Sequence, residues 1–137
     1  MAINDLAKPE MLAYLLKYDS VQGGYKGHDV QNDDESITVD GKKIIIYKEP
    51  DPSKLPWKEL KVYMVLECTG FFASKEKSQA HLNAGAKKVL ISAPAGNDLP
   101  TIVYGVNEKT LTKNDNIVSA ASCTTNCLAP MAQVLEE

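Results

Sequence analysis

The stretch VYMVLECTGFFASKEKSQAHLNAGAKKVLI, Val62 to Ile91, decides the fold class. Val62 to Glu67 is a near-continuous apolar run of strand length, the pattern of a strand buried in a parallel sheet. Ser74 to Ala84 has helix composition, with Ser74 as the cap and Gly85 where a stop belongs. Val89-Leu90-Ile91 is a second short apolar strand. Working towards the C-terminus, Thr101 to Val106 is expected as a third strand, and Ile117-Val118 leads into a final helix beginning near Cys123. Towards the N-terminus, Trp57 to Leu60 is expected as a short helical turn within a proline-punctuated stretch holding Pro50, Pro52 and Pro56. Ser36 to Val39 and Lys43 to Tyr47 flank the turn dipeptide Asp40-Gly41 and predict a hairpin. Asp19 to Gly27, with three glycines, reads as loop. Leu6, Met11, Leu12, Leu15 and Leu16 fall at helical spacing, with Pro9 in the first turn and an end near Tyr18. Buried strands alternating with helices predict an α/β fold with a doubly wound parallel sheet.

Length and composition exclude several classes of function. At 137 residues, 44% hydrophobic and 24% charged, the chain is sized for one domain. Eighteen acidic against fifteen basic residues give a formal charge of -3, so no cationic face argues for nucleic acid or an anionic membrane surface. Every basic residue of that count is lysine, which offers phosphate a point charge and no bidentate fork. The longest apolar runs fall far short of the ~20 residues that span a bilayer. Met1-Ala2-Ile3-Asn4-Asp5 lacks the regions of a secretory signal, and three cysteines do not suggest a disulfide framework. A reducing cytoplasm is the expected compartment.

A Rossmann-type sheet should open with a strand running into Gly-x-Gly-x-x-Gly, and that pattern is absent from these 137 residues. The sheet is therefore expected to be incomplete, without its first strand and glycine-rich loop. Ala2-Ile3-Asn4 reads as a strand stub ending at Asp5, an acidic residue expected to open the following helix. A carboxylate at the end of the second strand of such a fold accepts hydrogen bonds from ribose hydroxyls. An ordinary helix cap is the alternative for Asp5. Thr69-Gly70 and Ser92-Ala93-Pro94 follow predicted parallel strands, where ligands of open α/β sheets bind, or they are plain strand-to-helix turns.

Ala121-Ser122-Cys123-Thr124-Thr125-Asn126-Cys127 is the strongest local signal. A cysteine at a strand-to-helix turn lies near unpaired backbone N–H groups and the positive end of the helix dipole, a setting that favours a nucleophilic thiolate. The same amides can stabilise an oxyanion, and the hydroxyls of Ser122, Thr124 and Thr125 can bind a substrate or its phosphate. A buried structural cysteine is the competing reading. Cys123 and Cys127, four apart, lack a tight set of further ligands, since only Cys68, His28 and His81 remain, so no metal site is expected. An intact helix holds the two thiols too far apart for an unstrained disulfide. Cys68, beside a buried strand, is expected in the core.

These residues resemble phosphorylating glyceraldehyde-3-phosphate dehydrogenase along the whole length. The run Ala121 to Pro130, Ala-Ser-Cys-Thr-Thr-Asn-Cys-Leu-Ala-Pro, carries the resemblance. It is supported by Ala2-Ile3-Asn4-Asp5-Leu6, Leu15 to Ser20, Thr69-Gly70-Phe71-Phe72, Gly85 to Val89, Ile91 to Pro94 and Tyr104 to Asn107, in the family's order. The resemblance implies that Cys123 attacks the aldehyde of glyceraldehyde 3-phosphate, that a hydride passes to NAD, and that inorganic phosphate opens the resulting thioester. It implies substrate-binding roles for Ser122, Cys123 and Thr124, and cofactor-binding roles for Asp5, Thr69, Gly70 and Ser92. The charge of Asp5 would repel a 2′-phosphate and so favour NAD over NADP.

The resemblance covers less than half of a typical family member. It implies a division into residues 1–122, a partial NAD-binding domain, and 123–137, the nucleophile helix that opens the catalytic domain. The complete protein would be a homotetramer. Pro50 stands where many relatives have an arginine near the adenine, and Glu108 follows Asn107 where a histidine is usual. The histidine that activates the thiol and the arginine that holds substrate phosphate fall outside the 137 residues, so the chain alone is expected to be inactive. Two other functions remain open on the sequence. One is a non-catalytic short relative serving as a nucleotide-binding or interaction module; the other is a thiol-redox switch at Cys123.

Overall fold

The computed structural model describes residues 1–136; the last residue of the expected 123–137 segment, Glu137, lies outside them. The chain divides into two compact units, Met1–Asp51 and Pro52–Glu137.

The first unit contains β1 (Ala2–Asn4), α1 (Pro9–Lys17), β2 (Val30–Asn32), β3 (Ser36–Val39) and β4 (Lys42–Tyr47). The sheet order is β1-β4-β3-β2. β1 runs parallel to β4, while β2-β3-β4 is an antiparallel meander. The expected hairpin is present: Asp40 and Gly41 take φ of 49° and 76°, the paired left-handed conformations of a two-residue turn that matches strand twist. α1 lays Ala13 onto Val30, Ile37 and Ile46, with Leu12 and Leu16 beside them. No sequence signal marks β2, because a three-residue strand with two exposed polar positions carries almost no pattern.

The second unit contains β5 (Met64–Glu67), α2 (Lys75–Asn83), β6 (Lys88–Ile91), β7 (Ile117–Ser119) and α3 (Cys123–Glu136). Its strands are all parallel, in the order β5-β6-β7. Ser74 caps α2 as expected, its hydroxyl accepting the Lys77 N–H at 3.2 Å. Glycine is required at position 85, just past the end of α2, for two reasons. Its φ is 109°, and a side chain there would meet the Lys58 Cα at 2.7 Å. Val89, Ile91, Ala95, Leu99 and Ile117 form the core. β5 is not buried on both faces: Val65 and Glu67 are buried, whereas Met64 and Leu66 point to solvent.

The expected strand Thr101 to Val106 does not form. Thr101 makes a single parallel bridge to Ser119, and the chain then turns. The Asn107 side chain causes this by accepting the Val103 N–H at 2.7 Å and donating to the Thr101 carbonyl at 3.0 Å, which diverts the backbone from a ladder.

Candidate functional site

β7 ends at Ser119, and after three intervening residues α3 begins at Cys123. The turn is closed by side chains. Ser119, fully buried, donates from its hydroxyl to the Ala93 carbonyl at 2.7 Å and accepts the Ala121 N–H at 3.0 Å. Ala121 takes φ of 62°, a left-handed conformation that costs a non-glycine residue about 1 kcal/mol. The Ser122 hydroxyl accepts the Thr125 N–H at 3.0 Å, capping the helix, and lies 2.9 Å from the Thr124 hydroxyl and 2.7 Å from that of Thr125. From inside the helix, Asn126 donates to the carbonyls of Ala120 at 2.7 Å and Ser122 at 2.9 Å. Cys123 is thus held, exposed, at the first position of a 14-residue helix. The sequence alone assigns no role to Ser119, which lies outside the cysteine motif, and none to Asn126, which lies within it.

Cys127 is exposed one turn further on, and Cys68 is exposed as well. Cys68 is therefore not a core residue as expected. It follows Glu67 in the alternation of β5, and the face opposite Glu67 is open to solvent. Among the described residues, no group of three or more His, Cys, Asp or Glu is arranged to hold a metal ion.

Because β5, β6 and β7 are parallel neighbours, their carboxyl ends share one edge of the sheet. Thr69-Gly70 follows β5, Ser92 follows β6, and Ser122-Cys123-Thr124 follows β7. The fold therefore brings three of the expected segments to one edge, where open α/β sheets bind ligands. Gly70 has φ of 77° and open space where a side chain would stand, so a ligand can approach its backbone closely. Ser92 is exposed, and its N–H donates to the Glu67 carbonyl at 3.0 Å.

Asp5 lies in the first unit, directly after β1. It is exposed, and one carboxylate oxygen accepts the Ala7 N–H at 2.8 Å. It does not open the helix as expected. α1 starts at Pro9, whose fixed φ suits the first helical position, and Lys8 occupies the cap without a side-chain bond. Asp5 instead makes a local turn that points a carboxylate outward from the strand end.

A buried polar group anchors the Thr69 turn. One Glu67 oxygen accepts both the Thr69 N–H, at 2.8 Å, and the Thr69 hydroxyl; the other lies 2.9 Å from His81 Nε2. Trp57 Nε1 donates to His81 Nδ1 at 3.1 Å. Burial pushes the Glu67 carboxyl up, and the hydrogen bonds from His81 and Thr69 together outweigh it, holding the group below its ordinary value.

The sequence profile described as glyceraldehyde 3-phosphate dehydrogenase, NAD binding domain, matches residues 1–75. The chain belongs to this family. Its full length is 62% identical to glyceraldehyde-3-phosphate dehydrogenase of Lactobacillus delbrueckii subsp. bulgaricus and covers 40% of that protein. It is 56% identical to the Clostridium pasteurianum protein of the same name and 55% identical to that of Zymomonas mobilis, again over its full length and 41% of each relative. The chain thus spans about 40% of the length of the relatives it matches. The cofactor of this glyceraldehyde-3-phosphate dehydrogenase domain is NAD. The residues present suit part of it: a solvent-facing carboxylate stands after a parallel strand at Asp5, and an open glycine backbone stands at Gly70. No described helix is long and apolar enough to cross a membrane.

Proposed function

We propose that this chain supplies the nucleophile and much of the NAD groove of a phosphorylating glyceraldehyde-3-phosphate dehydrogenase. The observation that supports this reading is the β7 turn, which leaves Cys123 exposed at the N-terminal end of α3, flanked in sequence by the hydrogen-bonded hydroxyls of Ser122, Thr124 and Thr125. The thiolate of Cys123 adds to the aldehyde carbon of glyceraldehyde 3-phosphate to give a hemithioacetal. Amides of the first turn of α3 stabilise the oxygen on which charge develops. The hemithioacetal carbon gives up its hydride and the hydroxyl its proton, leaving a thioester on Cys123; NAD, when bound, accepts the hydride. Inorganic phosphate then attacks the thioester carbonyl and releases the thiolate and 1,3-bisphosphoglycerate. Ser122 and Thr124 orient the substrate and the attacking phosphate. Thr69, Gly70 and Ser92 line the groove, and Asp5 accepts the ribose hydroxyls.

In this reading residues 1–122 belong to the NAD-binding domain and 123–137 open the catalytic domain. The complete protein is a homotetramer of the cytoplasm, working in glycolysis. The proton acceptor and the phosphate clamp come from residues outside the chain, so the 137 residues alone turn over no substrate. The test is a chimera in which this chain replaces the matching 40% of the Lactobacillus delbrueckii subsp. bulgaricus relative. It should oxidise glyceraldehyde 3-phosphate in a phosphate- and NAD-dependent manner, and Cys123→Ser should lower the rate by about three orders of magnitude or more. Full activity in the Cys123→Ser chimera would overturn the proposal.

A further inference from the structure

We infer that Trp57, His81 and Glu67 form a one-way hydrogen-bond relay that sets the position of the Thr69 turn, making all three positioning residues for the cofactor groove. The inference rests on the reading of Thr69 and Gly70 as groove residues. The relay itself stands on geometry within the second unit.

The direction of the relay follows from the donor inventory. An indole N–H donates and never accepts, so the contact from Trp57 Nε1 at 3.1 Å makes His81 Nδ1 an acceptor. The single ring proton is then on Nε2, aimed at the Glu67 carboxylate 2.9 Å away. Glu67, an acceptor only, receives His81 on one oxygen and both the backbone and the hydroxyl of Thr69 on the other. Every donor in the series has one acceptor and the tautomer has no freedom. Glu67 and His81 are each 4% exposed, so water cannot replace a lost partner without reorganisation. The Thr69 hydroxyl also accepts the Phe71 N–H at 3.1 Å, which carries the constraint across Gly70. The mechanism proposed above uses none of Trp57, His81 or Glu67, so their burial together directly beneath the turn calls for another role. Positioning supplies it: Thr69 and Gly70 are exposed, and the bonds of Lys77 and Ser78 to the Phe71 and Phe72 carbonyls hold the segment beyond them, leaving Glu67 to hold Thr69 itself.

Glu67→Gln separates a relay from simple packing. The amide has nearly the shape of the carboxylate but offers one acceptor oxygen where two are needed. If that oxygen stays on Thr69, the NH₂ faces His81 Nε2, the imidazole must take the other tautomer, and its Nδ1–H opposes the Trp57 indole. If the amide flips, the Thr69 N–H loses its acceptor. Nitrogen-15 NMR of the complete 137-residue chain reads both ends, since Trp57 is its single tryptophan.

In the unsubstituted chain, His81 should show one bare nitrogen, Nδ1, and one protonated nitrogen, Nε2. In Glu67→Gln, either the Trp57 indole N–H resonance shifts, although residue 67 does not touch the indole in this network, or the Thr69 amide exchanges about tenfold faster. A protonated Nδ1 in the unsubstituted chain overturns the relay whether or not any variant folds. So does a Glu67→Gln chain in which neither signal moves. Trp57→Phe, which keeps an aromatic ring, should release the fixed tautomer, and an unchanged His81 spectrum in that variant also overturns it. Titration with NAD tests the groove reading separately. Shifts of the Thr69 and Gly70 amides support it, whereas an intact relay with no such shifts places the fault in the groove assignment.

Discussion

Each unit has a carboxylate at the end of one of its strands, and the two are held in opposite ways. Asp5, after β1, is exposed and accepts a single local backbone bond from Ala7. Glu67, the last residue of β5, is buried and joins β5 to α2 through His81 and to its own following turn through Thr69. The acid proposed to meet a ligand keeps an oxygen towards solvent; the acid that holds a turn gives both of its oxygens to the protein. The difference separates binding from positioning more clearly than residue type does.

The largest effect expected is that of Glu67→Ala. Removing one partner of a buried network leaves His81 and Thr69 donors without acceptors, a loss of about 3 kcal/mol. Denaturant unfolding followed by Trp57 fluorescence reads this for the second unit. Acid should undo the same group. Because Glu67 titrates below its ordinary 4.5, its stabilisation is complete above that value and fades as the pH falls below it through the folded value. The transition midpoint of the second unit should therefore drop as the pH is lowered from neutral to about 3, and in Glu67→Gln this dependence should flatten. Ala121→Gly should change stability less, by a gain of up to about 1 kcal/mol, because glycine accepts the left-handed conformation at no steric cost. Asp5→Ala is expected to be the smallest change, within about 0.5 kcal/mol, although it removes the proposed ribose contact. If Asp5→Ala destabilised the first unit as strongly as Glu67→Ala destabilises the second, the contrast between the two acids would fail.

Local signals in the sequence were legible where the physics is local. Asp40-Gly41 announces a hairpin because both residues adopt positive φ readily, and Ser74 with Gly85 brackets α2 because each satisfies a helix-end requirement within a few residues. Cys123 was legible as the first residue of a helix for the same reason. What could not be read depends on partners distant in sequence. His81 meets Glu67 across 14 positions and Trp57 across 24, and no spacing rule connects them. The apolar run Thr101 to Val106 looks like a strand until the side chain of Asn107 turns it. Cys68 looked buried because the alternation of β5 was masked by apolar residues on its solvent-facing side, Met64 and Leu66.

The central claim is that the turn after β7 makes Cys123 a nucleophile. All three cysteines are exposed, so access alone does not distinguish them. Alkylation of the native chain with limiting iodoacetamide at neutral pH, with each site followed by peptide mass spectrometry, measures the difference directly. Cys123 should be modified at least about tenfold faster than Cys68 or Cys127. Equal rates at the three sites, or faster modification of Cys127, would contradict the account.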